Sequence, residues 1–265
     1  MTSYPAAIAH RGMSTLAPEN TMAAFVKCID YNVASFEFDV DVIGDGSVIV
    51  IHDDKLDRTT NGKGGYYNKN FSDIRKLDAG KWFSKTYTFE RIPELMTVVE
   101  FLNKQAMEAN LEIKPSKSGD KLRESLIDGI IVSLDALQFK NAILISSFDM
   151  ELLSEMQRRA PQYRRACLFE STDEPIMDQV NRWIEEAKKV EAEAIHPPHD
   201  DLTEEAVRAM VEAGFQVNAW TVNDLDRAAE LGSWGVRAVM TDIAQDFPEE
   251  ARQQRPISKP TVITD

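Results

Sequence analysis

The sequence predicts a parallel α/β fold of the TIM (β/α)₈ barrel type, on three observations. Short apolar runs alternate with amphipathic helical patterns, which is typical of strands joined by crossover helices. The length of 265 residues is close to the roughly 250 of one such barrel. No Gly/Ser/Pro-rich linker interrupts the pattern before residue 250, so we expect a single domain over residues 1–265.

Nine apolar runs predict strands, which is one more than the barrel needs. In chain order they are residues 6–9, 36–42, 48–51, 111–113, 142–146, 165–169, 193–196, 215–221 and 236–241. Only residues 43–47 join the second run to the third, and a parallel crossover needs a dozen or more residues. We therefore expect one of these two runs to lie outside the barrel.

Helical patterns follow most of the predicted strands. The first begins after Pro18, where Asn20 or Thr21 can cap its free amides. The others cover residues 93–109, 149–159, 178–190, 203–213 and 223–231. The helical pattern is lost over residues 54–92, which are rich in glycine and aromatic residues. We expect this segment to be a small insertion near the barrel mouth.

Composition excludes several classes of function. The formal net charge of −14 repels nucleic acid and acidic membranes, so we expect neither a polymeric phosphodiester partner nor stable membrane association. The first residues lack the pattern of a secretory leader, which predicts a cytoplasmic protein. Cys28 and Cys167 are then expected to be reduced core residues.

Five polar residues lie at or near the ends of the early apolar runs, where a buried strand should carry apolar side chains. They are His10, Glu37, Asp39, His52 and Glu112. Burying such groups without partners costs several kcal/mol each, so they must be satisfied by one another, a metal or a substrate. This pattern predicts an active site at one end of the barrel.

The three carboxylates predict a metal site. Glu37 and Asp39 are two residues apart on a strand, so both point to the same side. With Glu112 they would form a cluster of like charges, which a hard cation such as Mg²⁺ or Ca²⁺ stabilises. For any one of them, an ion pair with Arg11 or Lys114 is an equally good interpretation. For all three together, the metal is favoured.

The remaining candidates belong to proton transfer and substrate binding. His10 and His52 can give and take protons near neutral pH, although a histidine after an apolar strand is often a core residue. Arg11 and Lys114 suit phosphate oxygens, a role compatible with compensating the carboxylates.

Two aromatic residues are candidates for substrate contact. Trp220 ends a predicted strand and Phe148 follows another, so either ring can line the barrel mouth or fill the core. His196 and His199 fall on a predicted loop at the same face, where we expect rim or structural roles, and Lys63 is expected to be solvated.

An ordered set of motifs resembles the glycerophosphodiester phosphodiesterase family. The motifs are His10-Arg11-Gly12, Pro18-Glu19-Asn20-Thr21, Glu37-Phe38-Asp39-Val40, His52-Asp53, Arg58-Thr59-Thr60-Asn61-Gly62, Glu112-Ile113-Lys114-Pro115, Ser146-Ser147-Phe148, Trp220-Thr221-Val222-Asn223 and Thr241-Asp242. They cover nearly the whole chain. One departure is Met13-Ser14-Thr15, where the family usually has small residues, and we expect it to alter only the site rim.

The resemblance implies a metal-dependent barrel hydrolase that cuts glycerophosphodiesters to glycerol 3-phosphate and an alcohol. By position, the three carboxylates would hold the metal, His10 and His52 would be acid and base, and Arg11 and Lys114 would bind phosphate. The resemblance to cytoplasmic members favours Mg²⁺ over Ca²⁺. In the family the attacking group is thought to be the glycerol 2-hydroxyl, which gives a cyclic phosphate.

Three points stay open at the sequence level. A lysophospholipase D-type activity on lysolipids is the first alternative, although the acidic charge argues against it. A non-catalytic glycerophosphodiester-binding protein is the second, and the intact histidine pair argues against it, because binding alone needs no acid and base. A homo-oligomer is compatible with the sequence, which does not determine the oligomeric state.

Overall fold

Eight parallel strands close into a barrel in this computed structural model, which describes residues 4–257 except 116 and 118. The strands of the described residues are β1 (Ala6–Ala9), β2 (Ser35–Val42), β3 (Val48–Val50), β4 (Glu108–Ile113), β5 (Ile143–Ser147), β6 (Arg164–Leu168), β7 (Ala194–His196), β8 (Gln216–Ala219) and β9 (Ala238–Thr241). β1 pairs in parallel with both β2 and β9, which closes the ring. The predicted barrel is confirmed.

β3 is the strand that lies outside the barrel. It pairs antiparallel with β2, with Val42 opposite Val48 and Val40 opposite Val50. The short connection at residues 43–47 is therefore a hairpin, as its length requires. β4 takes the next barrel position and pairs in parallel with β2 over six residue pairs.

Helices surround the barrel and connect its strands. They are α1 (Met22–Asp30), α2 (Phe71–Ile74), α3 (Leu95–Gln105), α4 (Asp120–Asp135), α5 (Met150–Arg159), α6 (Ile176–Lys189), α7 (Glu204–Glu212), α8 (Leu225–Trp234) and α9 (Glu249–Gln253). Thr21, one of the two predicted caps, accepts a hydrogen bond from the amide of Ala24 at the start of α1. α5 to α8 match their predicted ranges to within a few residues.

Two predictions between residues 93 and 135 are wrong. The helix expected over residues 93–109 ends at Gln105, because Ala106 adopts a left-handed conformation (φ 51°), and β4 begins at Glu108. The long helix α4 was not predicted at all. Its apolar residues Leu126, Ile127, Ile130 and Leu134 are buried against the barrel.

The strands present alternate side chains to the two faces of the barrel wall, as their period of two requires. Phe36 and Phe38 of β2 point outward and contact Phe25 of α1, with ring centroids 4.5 and 5.9 Å away. Glu37 and Asp39, which alternate with these two phenylalanines along β2, therefore point into the barrel. The apolar outer face anchors β2, and this fixes where the two carboxylates lie.

Residues 54–92 form a separate small cluster beside the barrel. Leu56, Tyr66 and Ile74 from this segment are buried against Ile49 and Ile51, which belong to β3 or follow it directly. β3 thus connects the barrel to this segment and supports it next to the site described below.

Two further findings concern the helices and the cysteines. No helix in the described part of the chain is long and apolar enough to cross a bilayer. Cys28 and Cys167 are both free and buried, and burial raises the pKa of the Cys167 thiol to about 12. Both thiols therefore behave as apolar core side chains.

Candidate active site

The three predicted carboxylates meet at the carboxyl end of the barrel. β2 and β4 are neighbours, and their register sets Asp39 directly opposite Glu112. Glu37, Asp39 and Glu112 are all buried, and one oxygen of each lies within 4.8 Å of the others. This is the spacing at which three side chains can share one cation.

The electrostatics of this cluster are uneven. Burial, together with the charges of Asp39 and Glu112, raises the pKa of Glu37 well above its ordinary value. Burial and Asp39 also raise the pKa of Glu112. Burial opposes ionisation of Asp39 as well, but Lys114 and Arg11 outweigh it and lower that pKa. The negative charge of the three carboxylates therefore exceeds the positive charge that Arg11 and Lys114 provide.

The two carboxylate oxygens of Glu37 differ in their hydrogen bonding. Its Oε2 accepts a hydrogen bond from the backbone amide of Arg11 at 2.9 Å. Its Oε1 is buried and has no hydrogen-bond partner among the described residues. A buried carboxylate oxygen in that state costs several kcal/mol unless something else binds it.

His10 follows β1 and is oriented by a carboxylate from the other end of the chain. Its Nδ1 lies 2.7 Å from Oδ1 of Asp242, which follows β9. Asn223 donates to the other oxygen of Asp242 at 2.7 Å, and Ser14 donates to Oδ1 at 3.2 Å. The second ring nitrogen, Nε2, lies 4.0 Å from Glu37. The Met13-Ser14-Thr15 departure thus supports the carboxylate behind His10.

His52 follows β3 and has a matching arrangement. Its Nδ1 lies 2.8 Å from Oδ1 of the adjacent Asp53. Burial lowers the pKa of His52, although the charge of Asp39 opposes this shift. Arg58 donates two hydrogen bonds to Asp53, at 2.7 and 2.8 Å. Each predicted histidine therefore has a carboxylate on Nδ1, which leaves Nε2 for exchange with a bound molecule.

The two predicted cations contact the carboxylates. Lys114 Nζ lies 2.7 Å from Glu112 and 3.4 Å from Asp39, and Arg11 Nε lies 3.5 Å from Asp39. Arg11 has a positive φ of 57°, and Gly12 follows at 76°. A Cβ at Gly12 would approach Ala24 to 2.8 Å, so this turn requires glycine.

Several supporting residues were missed at the sequence level. Asn20 donates to Asp39 at 2.8 Å, and Glu19 accepts from Arg11 at 2.8 Å. Both belong to the Pro18-Glu19-Asn20-Thr21 motif, for which the sequence predicts only a helix cap at Asn20 or Thr21. The motif itself was the available signal. A polar run before a helix usually indicates only a cap, which is why the roles of Glu19 and Asn20 were not recognised.

A cavity of about 390 Å³ opens above the carboxylates. Eight of the nine predicted site residues line it together with Pro115 and Glu170, and the ninth, Asp39, is buried. The eight are His10, Arg11, Glu37, His52, Glu112, Lys114, Phe148 and Trp220. The two aromatic rings meet edge to face, with centroids 5.6 Å apart.

The two other histidines lie apart from this chemistry. His196 is fully buried at the end of β7, so the expectation of a loop position is wrong, and a structural role is left. Asn218 donates to its Nε2 at 3.0 Å. His199 lies on the following loop, where its carbonyl accepts from Arg227.

A second cavity of about 480 Å³ adjoins the first. Both cavities are lined by His52, Lys114 and Pro115. The second is otherwise formed largely by the start of the 54–92 segment, including Arg58, Tyr66 and Tyr67. A molecule bound at His52 and Lys114 therefore has room on two sides.

Oriented imidazoles, clustered carboxylates and two cations at the carboxyl end of a parallel barrel define a barrel hydrolase with a small anionic substrate. The chain belongs to the glycerophosphoryl diester phosphodiesterase family, whose model matches residues 10–245. It is therefore an enzyme, a phosphoric diester hydrolase of the glycerophosphodiester type.

Relatives and solved structures agree with this assignment. A glycerophosphodiester phosphodiesterase from Caldanaerobacter subterraneus is 33% identical over 235 residues, which cover 89% of this chain and 93% of the relative. A glycerophosphodiester phosphodiesterase from Bacillus subtilis is 30% identical, over 91% of this chain and 84% of the relative. An Oleispira antarctica phosphodiesterase, solved in complex with the product sn-glycerol-3-phosphate, is 30% identical with a TM-score of 0.84. It covers 95% of this chain and 98% of that one.

Proposed function

We propose that this enzyme hydrolyses small glycerophosphodiesters to glycerol 3-phosphate and an alcohol, with a divalent cation on the carboxylate triad and His10 and His52 as acid and base. The observation that carries this proposal is the pair of imidazoles, each held by a carboxylate on Nδ1, which line the same cavity as Glu37 and Glu112. Binding a diester without cutting it requires neither imidazole.

The residues present fit a hard divalent cation. Glu37, Asp39 and Glu112 offer oxygen ligands within 4.8 Å of one another, and the partnerless Oε1 of Glu37 is the kind of atom that a metal satisfies. We favour Mg²⁺, with Ca²⁺ as the alternative. When bound, such a cation would supply positive charge that stabilises the negative charge of the phosphate during the reaction.

The phosphate would be held by Arg11 and Lys114. Both side chains are mostly buried, line the cavity and carry a pKa raised by neighbouring carboxylates against the effect of burial. The planar guanidinium of Arg11 suits phosphoryl oxygens, and its Nε lies 3.5 Å from Asp39 without a hydrogen bond among the described residues. The two cations would thus serve the carboxylates and the substrate together.

The proposed reaction uses the histidines in turn. One imidazole accepts the proton of the glycerol 2-hydroxyl as that oxygen attacks phosphorus, and the bond from phosphorus to the alcohol oxygen breaks. The other imidazole donates a proton to the departing alcohol. Water then opens the cyclic phosphate with the two proton transfers reversed, which returns both histidines to their starting states.

The two arms of the diester would occupy the two adjoining cavities. We place glycerol beneath Trp220 and Phe148, whose rings suit its carbon atoms. The departing alcohol would then extend toward the 54–92 segment. The cytoplasmic location and the homo-oligomer stay predictions.

Product identity tests this function. The purified protein with Mg²⁺ should convert glycerophosphocholine to glycerol 3-phosphate and choline, followed by phosphorus NMR. Lysophosphatidylcholine should be cleaved far more slowly, because the acidic surface does not favour a lipid aggregate. Release of phosphocholine, or faster cleavage of the lysolipid, would contradict the proposal.

A further inference from the structure

One arginine outside the predicted site bridges two carboxylates at the cavity. Arg58 donates from NH1 and NH2 to the two oxygens of Glu19, at 2.6 and 2.7 Å. The same guanidinium donates from Nε and NH2 to the two oxygens of Asp53, at 2.7 and 2.8 Å. Two paired interactions of this kind use the planar fork of arginine on both sides.

Each of these carboxylates also holds a proposed functional side chain. Asp53 contacts His52 Nδ1 at 2.8 Å, and Glu19 accepts from Arg11 at 2.8 Å. Arg58 therefore stands one residue away from a proton-transfer group on one side and from a phosphate-binding group on the other.

The charge states favour this bridge. Hydrogen bonds from Arg58 lower the pKa of Asp53, and they also lower that of Glu19 against the opposing effect of burial. Both carboxylates are therefore ionised and accept from Arg58 and from the functional side chains at once. Isolated surface ion pairs are weak, but a guanidinium shared by two carboxylates forms a network with fixed geometry.

The backbone around Arg58 is anchored rather than loose. Leu56 is fully buried two residues earlier, and its carbonyl accepts from both the amide and the hydroxyl of Thr60, at 3.1 and 2.6 Å. The 54–92 segment can therefore hold the guanidinium in place even though 45% of the Arg58 side chain is exposed.

We propose that Arg58 is a positioning residue that aligns His52 through Asp53 and Arg11 through Glu19 at the same time. This inference rests on the proposed function, because it assigns Arg58 a part in proton transfer and in phosphate binding. The 54–92 segment then has two roles, because it fixes the geometry of the site through Arg58 and also forms the wall of the second cavity.

The first test removes the guanidinium. Arg58→Ala should lower kcat/KM on glycerophosphocholine by about 10–100-fold, the usual loss for a supporting residue behind a functional group. The loss should divide between a lower kcat, through His52, and a higher KM, through Arg11. Guanidinium ion at millimolar concentration should restore part of the activity, and methylammonium at the same ionic strength should not.

Controls separate positioning from stability. Lys63→Ala removes a cation of the same segment that is 78% exposed and lies 3.5 Å from Asp57, so its activity should equal that of the wild type. Arg58→Lys keeps the charge but not the fork, and it should lose most of what Arg58→Ala loses. If Arg58→Lys is as active as the wild type, charge alone suffices and the proposal is wrong.

A double-mutant cycle decides whether Arg58 acts through the two carboxylates. In an Asp53→Asn, Glu19→Gln background, Arg58→Ala should change kcat/KM by less than about threefold, because its route to the site is already gone. Fully multiplying effects would show direct contact with substrate and would overturn the proposal.

Product binding distinguishes this proposal from the proposed function. Calorimetric titration with glycerol 3-phosphate should give a higher Kd for Arg58→Ala than for Lys63→Ala, whatever the wild type hydrolyses. Equal Kd values for these two variants would overturn the link from Arg58 through Glu19 to Arg11.

Discussion

At the scale of single residues, the two imidazoles share one arrangement although their carboxylates come from very different places. Asp242 lies 232 positions from His10, whereas Asp53 is adjacent to His52. A carboxylate on Nδ1 fixes the tautomer and the ring orientation, so Nε2 is the nitrogen that would exchange a proton in the proposed reaction. Two such nitrogens beside one phosphate are what an acid and a base require.

Replacing either histidine tests this arrangement. His10→Ala and His52→Ala should each lower kcat by about 10²–10⁴-fold, the usual contribution of a positioned acid or base. The double variant should be little worse than either single one, because both groups serve one reaction. Far-UV circular dichroism and Tm serve as the folding control. Near-normal kcat in either single variant would return that histidine to a structural role.

Some residues of this site can be predicted from the sequence and others cannot, for a physical reason. Glu37 and Asp39 are visible because their spacing of two puts polar groups on the inner face of an apolar strand. Asp242, Glu19 and Arg58 belong to motifs of the family, but they occupy loops, where charged residues are common and the spacing does not indicate their partners. Their roles come from contacts between elements distant in sequence, which only the folded chain reveals.

At the scale of elements, the two errors of element assignment have different causes. β4 carries Glu108, Asn110 and Glu112 inward, so its first residues lack a strand's apolar run and extend the helical pattern of α3. α4 contains Gly129 and a run of three β-branched residues, 130–132, which weaken its helical signal. In β4 and α4, tertiary packing therefore determines a secondary structure that the local sequence pattern does not predict.

The buried His196 at the end of β7 predicts an acid sensitivity of the fold. Burial lowers its pKa to about 3, so the folded chain holds it neutral while the unfolded chain takes up a proton below about pH 6.5. Above about pH 6.5, keeping His196 neutral therefore costs the folded chain almost no stability, and the free energy of unfolding decreases as the pH falls below that value. Between pH 6.5 and pH 5 this effect should cost about 2 kcal/mol of unfolding free energy.

Urea denaturation at pH 7 and pH 5 measures this effect. His196→Gln supplies the control, because its amide oxygen can still accept from Asn218 and does not titrate. The wild type should lose about 2 kcal/mol more than His196→Gln over this range. Equal losses in the two proteins would assign the acid sensitivity to other groups.

At the scale of the whole molecule, the proposed substrate cavity is lined by two cationic side chains, Arg11 and Lys114, although the chain carries a net charge of −14. In the proposed binding mode, Arg11 and Lys114 would contact the phosphate, which every candidate substrate shares, and the alcohol would extend toward the second cavity. Recognition should therefore depend on the glycerol phosphate rather than on the alcohol.

Substrate comparison tests this division. Choline, ethanolamine and glycerol diesters of glycerol phosphate should have kcat/KM values within about tenfold of one another, or roughly 1.4 kcal/mol. A diester that lacks the glycerol 2-hydroxyl should be cut poorly, because the attacking group is missing. Rapid cleavage of that 2-deoxy analogue would contradict the cyclic-phosphate route while leaving the hydrolase assignment in place.

The central claim is that Glu37, Asp39 and Glu112 hold a divalent cation on which hydrolysis depends. The most direct measurement is the rate on glycerophosphocholine after exhaustive chelation and dialysis, followed by addition of Mg²⁺ or Ca²⁺. We expect the rate to fall to background and to return with added metal, Mg²⁺ being favoured. Glu37→Gln, which removes one charge at nearly constant shape, should need a higher metal concentration for half-maximal rate. Full activity in the chelated, metal-free wild type would contradict the account.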